Sequence, residues 1–140
     1  MTATHHQIVR EFLAALSRGE LDDDMLTPDF SGWTVLSGPV DRATYQAAFR
    51  VFAKIFKEGP FPTIHSLTAE EDRVVAEFRS RGILSNGDDY QNDYLFLFRV
   101  RDGRIAYVGE YFNPDVVRQK IAPAMAVAMA GSKQVGGHRE

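Results

Sequence analysis

The chain has 140 residues, of which 44% are hydrophobic and 25% charged, with a formal net charge of −3. That length suits one domain around a single core, and with no basic stripe to neutralise phosphates the chain is not expected to take nucleic acid as its main partner. With no cysteine, disulfides, a thiolate nucleophile and Cys-ligated metal are excluded. Met1 to Gln7 lacks the basic and apolar regions of a signal peptide, and no apolar run reaches the length of a membrane span, so a cytoplasmic protein without membrane contact is expected.

Ile8, Val9, Phe12, Leu13 and Leu16 recur at helical spacing, and Gly19 sits where a left-handed cap would end the helix. The spacing predicts a helix from about His5 to Arg18, then a short acidic helix over Glu20–Leu26 that Thr27-Pro28-Asp29 would break. Phe30 to Leu36 reads as a strand. Asp41 is a good N-cap for the next helix, which carries Tyr45, Ala48, Phe49, Phe52 and Phe56 as an apolar stripe and is expected to end near Gly59-Pro60.

Strands follow in succession at Ile64–Ala69 and Arg73–Leu84, and Asn86-Gly87 turns the chain into a hairpin running from Asp89 to Asn113. Asp102-Gly103 is a dipeptide suited to the positive φ angles of a two-residue hairpin turn. In the first arm, alternation puts Tyr90, Asn92, Tyr94, Phe96 and Phe98 on one face and Gln91, Asp93, Leu95, Leu97 and Arg99 on the other. Pro114 after Asn113 predicts a capped helix start. Residues 1–122 are expected to form one domain, and the Ala/Met-rich stretch over 123–140 a tail that is frayed or packed on a partner. Helices first and strands after is an α+β layout.

The pattern Tyr90-x-Asn92-x-Tyr94, Asp102-Gly103-Arg104-Ile105 and Glu110-Tyr111-Phe112-Asn113, set in this element order, resembles the nuclear transport factor 2-like superfamily, in its SnoaL-like and ketosteroid-isomerase-related branch. The resemblance implies a cystatin-like cone, a curved antiparallel sheet wrapped around N-terminal helices, with a pocket for a small hydrophobic molecule. It also implies a homodimer through the outer sheet face, where Leu95, Leu97, Val108 and Phe112 lie among charges. No metal or cofactor is implied.

Matched position by position, the residues of the steroid isomerases fall on Phe12, Phe96 and Trp33 or Thr34, none of which is an acid or a phenol. The arginine and aspartates of the limonene-epoxide hydrolases fall on Phe78, Ser80 and Asn113, so neither mechanism carries over. The catalytic acid of SnoaL-like cyclases matches Glu110. A regular strand would place Glu110 outside, in cross-strand ion pairs, while Tyr111 and Asn113 face the pocket; a bulge near Gly109 would turn Glu110 inward.

Tyr90, Asn92 and Tyr94 form a polar cluster at one end of an aromatic wall, an arrangement that fixes a ligand. Phe12, Trp33, Phe52, Phe78 and Phe96 would complete the apolar lining. Two functions follow as expectations: a cyclase or isomerase with Glu110 as acid/base, or a non-catalytic binding or dimerisation module that retained the cavity.

Overall fold

The alternation of the Asp89–Phe98 run is the pleat of a central strand. A computed structural model describes residues 4–137. It contains α1 (His5–Arg18), β1 (Leu26–Thr34), β2 (Gly38–Asp41), α2 (Arg42–Lys54), β3 (Phe56–Glu70), β4 (Arg73–Leu84), β5 (Asp89–Arg101), β6 (Arg104–Phe112), a short turn α3 (Pro114–Val116) and α4 (Ala122–Gly137). The six strands form one sheet in the order β2-β1-β6-β5-β4-β3. Neighbours are antiparallel except β1 and β6, which run parallel. The α+β architecture is thus the one the sequence predicts.

Local chemistry sets the boundaries. Thr4 accepts the Gln7 N–H at the start of α1, and Gly19 ends it at φ 76°, a conformation a Cβ would strain. Asp41 accepts the Thr44 N–H at 2.8 Å and starts α2. Asp102 and Gly103 both have positive φ, 53° and 75°, as the hairpin turn requires. Several boundaries differ from expectation: β1 ends at Thr34 rather than Leu36, Gly38–Asp41 pairs as β2, and β3 begins at Phe56 rather than Ile64. The acidic Glu20–Leu26 stretch holds only a 3₁₀ turn at Asp23–Met25, too short for a helix to repay its nucleation. β1 begins four residues early, at Leu26, and passes through Pro28. α2 stops at Lys54, and Phe56 already belongs to β3.

The C-terminal stretch also differs. Asn113 accepts the Asp115 N–H at 2.9 Å, a π-helical turn follows at Val117–Ile121, and α4 continues from Ala122. Pro123 has no N–H to extend the previous turn, and the backbone widens just before it. Alanine and methionine favour helix, and Ala124, Met125 and Ala128 pack against the core rather than fraying. Residues 138–140 of the expected tail lie outside the described residues.

The concave face of the sheet holds the core. Every second residue of β5 from Tyr90 to Val100 is buried, and Phe12 of α1 is fully buried against Phe98, with ring centroids 5.2 Å apart. Phe12 also meets Phe49 and Tyr45. Among the described residues, no helix is long and apolar enough to cross a membrane.

Candidate functional site

The orientation of Glu110 follows from one irregularity in β6. Arg99 pairs with Tyr107, but Val100 pairs with Ile105, so Ala106 is an extra residue on β6. This bulge exchanges the faces of everything after it. Ile105 before the bulge and Val108, Glu110 and Phe112 after it all turn to the concave side, where Glu110 lies opposite Phe96 and Phe112 opposite Tyr94. The bulge falls at Ala106 rather than near Gly109, and the face expected to be outer is the inner one.

Glu110 opens into a cavity of about 340 Å³ between the sheet and the helices. β4 contributes Phe78 and Ser80, β5 contributes Tyr94 and Phe96, and Phe112 of β6 adjoins the acid. From α2 come Thr44, Tyr45, Phe49 and Phe52, and Val117, Ile121 and Met125 close the C-terminal side. The walls are overwhelmingly apolar.

Tyr45 donates its hydroxyl to Glu110 Oε2 at 2.5 Å. Its ring is held between Phe30, with centroids 5.1 Å apart, and Phe12. Gly32 of β1 leaves the space: a Cβ there would stand 3.1 Å from the Tyr45 ring. Burial raises the Glu110 carboxyl from 4.5 to about 7, and the Tyr45 hydrogen bond opposes that rise. Burial and the facing carboxylate together push the Tyr45 phenol well above its usual range, so it remains a donor. A carboxyl near half ionisation at neutral pH, with a neutral phenol beside it, is suited to accept and return a proton.

Of the other residues singled out from sequence, Phe52, Phe78, Tyr94 and Phe96 line the same cavity. Tyr90 lies behind it, buried, with its hydroxyl hydrogen-bonded to that of Tyr94. Burial raises both phenols, that of Tyr94 well above its usual range. Asn92 is also buried behind the wall, its amide taken up by backbone: Nδ2 donates to the Asn113 carbonyl at 3.1 Å and Oδ1 accepts the Asp93 N–H at 3.0 Å. That bond ties β5 to the start of α3, and Asn113 serves as its cap.

Phe12, Trp33 and Tyr111 stand elsewhere than expected. Phe12 belongs to the core beneath Tyr45. Trp33 and Tyr111 meet on the convex face in a tilted contact with centroids 5.1 Å apart, because the bulge sends Tyr111 outward and Trp33 pairs beside it with Gly109. The sequence reading missed Tyr45 as a site residue. It was visible only as one member of the apolar stripe of α2, and nothing in its spacing marks it as the partner of a residue 65 positions away.

With the geometry in place, comparison defines the class. The profile of the SnoaL-like domain family matches residues 9–108, and the chain belongs to that family. An NTF2-like protein from Anabaena variabilis is 32% identical in sequence, superposes with a TM-score of 0.67, and is matched over 77% of this chain and 85% of its own. A candidate polyketide cyclase from Xanthomonas campestris pv. campestris shares the fold at a TM-score of 0.66 and 22% identity, over 79% of this chain and 91% of its own. YesE, an uncharacterised protein of Bacillus subtilis, is 36% identical over 59 residues, which cover 41% of this chain and 40% of YesE.

Proposed function

We propose that this chain is a small-molecule enzyme of the SnoaL-like type, active in the cytoplasm, in which Glu110 moves a proton on a hydrophobic carbonyl compound. The observation that carries this reading is a carboxyl that lines an apolar cavity and accepts a hydrogen bond from a phenol, where burial pushes its pKa up to about 7. In the forward step the Glu110 carboxylate takes a proton from the carbon next to the carbonyl, and the C–H electron pair moves into the enolate. Tyr94, with Tyr90 behind it, is the hydroxyl available to hold the developing oxyanion. Returning the proton to a different carbon gives an isomerase; attack of the enolate carbon on a second carbonyl opens that C=O to an alkoxide, which takes the proton back from Glu110, and gives a cyclase. The fold shared with a candidate polyketide cyclase supports the same class of substrate.

The test is a turnover screen of aromatic polyketides, steroids and terpenoid ketones, with a pH–rate profile for any substrate found. Activity should rise with the ionised form of Glu110 and level off above about pH 7. In Tyr45→Phe the inflection should move to higher pH, because the lost hydrogen bond is the one that favours the carboxylate, and activity should recover at alkaline pH. A profile unchanged by Tyr45→Phe removes the dyad from the mechanism. Binding without turnover across the screen would make the chain a non-catalytic pocket module.

The proposed assembly is a homodimer through the convex face. Leu95 and Tyr111 are each 42% exposed there, beside Trp33, an apolar patch of the kind that a second subunit covers. Leu95→Glu should turn a dimer into a monomer in sedimentation equilibrium without loss of folding; a wild-type monomer at high concentration would end this assignment.

A further inference from the structure

Six surface acids among the described residues stand beside cations. Asp93 pairs with Arg79 at 2.7 Å, and Asp115 with Arg118 at 3.1 Å. Glu110 has no such cation: it lines the apolar cavity, half-buried, and its hydrogen-bond partner is the neutral Tyr45 phenol. The groups that face it are Thr44 and Tyr45 from α2, Thr34 from β1, Tyr94 and Phe96 from β5, and Phe112 from its own strand. Among the described residues, no lysine, arginine or histidine lines the cavity.

From this arrangement we infer that the cavity selects its ligand by charge, preferring a hydrophobic ring system that carries a protonated amine over the same skeleton carrying a hydroxyl, and rejecting the skeleton carrying a carboxylate. A buried carboxylate without a counter-ion is a costly state, and a ligand ammonium supplies the missing charge where it is least screened. The aromatic side chains of Phe78, Phe96 and Phe112 line the same cavity, a wall that suits a cation better than an anion. An anionic ligand would bring a second negative charge into the same apolar space with no basic side chain to receive it. Burial keeps Glu110 partly protonated at neutral pH. Amine binding should therefore strengthen as pH rises through 7, since the ligand stays charged while the acid ionises. The inference rests on the same reading of the cavity as a ligand site and is independent of whether Glu110 performs chemistry.

The experiment is isothermal titration of 2-naphthylmethylamine, 2-naphthylmethanol and 2-naphthoate into wild type and Glu110→Gln, at about pH 5.5 and about pH 8. In wild type at the higher pH the amine should bind at least about tenfold more tightly than the alcohol, with naphthoate the weakest. The gap should close at the lower pH and in Glu110→Gln, through loss of amine affinity. Equal affinities for amine and alcohol at the higher pH overturn the inference. So does an amine advantage that survives in Glu110→Gln, or the absence of binding by all three probes. If Glu110→Gln does not fold, the pH series on wild type decides alone. No turnover is read in any arm, so a failed isomerase or cyclase reading leaves the result standing.

Discussion

Glu110→Gln should lose turnover by about two to four orders of magnitude while becoming the more stable protein above neutral pH. Both effects have one origin. The glutamine amide fills the space of the carboxyl and can still accept from Tyr45 through its carbonyl oxygen, but it neither ionises nor carries a proton. In wild type the folded-state pKa of about 7 lies above the unfolded value near 4.5, so between those limits the folded chain binds more protons than the unfolded one. Stability therefore falls as pH rises through that window, by up to about 3 kcal/mol when Glu110 is fully charged, and no further above it. Below the unfolded value the acid is protonated in both states and imposes no penalty. Urea titrations of both proteins at about pH 5 and about pH 8 measure the difference. A wild-type stability that does not decline across the window would contradict the half-buried, uncompensated carboxyl.

Phe12→Ala should cost about 3–5 kcal/mol, the range for removing a buried phenylalanine. The ring is 0% exposed and sits in edge contact with Phe49 and Phe98. It is also stacked on Tyr45, so the vacated space leaves the phenol free to drift from Glu110. The expected signature has two parts: a lower urea midpoint and a pH–rate inflection displaced upward, as in Tyr45→Phe. Full stability in Phe12→Ala would mean that the helix collapses onto the sheet and that the packing beneath Tyr45 is loose. This separates the role of Phe12 from that of a pocket residue, since its loss should act on folding and on Tyr45 before it acts on ligand.

The outer patch and the cavity wall share strands, so a partner there would be linked to the site. Tyr94 faces the cavity while its neighbour Leu95 faces out, and the same alternation sets Glu110 beside Tyr111. A partner on the convex face would stiffen the strands that hold the acid without touching it.

The sequence determined a good deal of this by itself. Gly19, Asp41, Asp102-Gly103 and Asn113-Pro114 mark four element ends, because caps and tight turns depend on the φ angles and hydrogen-bonding groups of one or two residues. The face of β5 that carries Tyr90 to Phe98 was equally legible, since a period of two persists wherever a strand pairs regularly. The Glu20–Leu26 turn and the end of α2 were less so, because packing against the sheet outweighs local propensity there.

Only the tertiary structure decided the direction of Glu110. One extra residue at Ala106 reverses the phase of β6, and a strand's own sequence does not record where its partner's hydrogen-bond ladder slips. The same slip put Tyr111 beside Trp33 on the outside. The pairing of Glu110 with Tyr45 likewise belongs to the folded chain alone, for it joins a strand to a helix across the closed core.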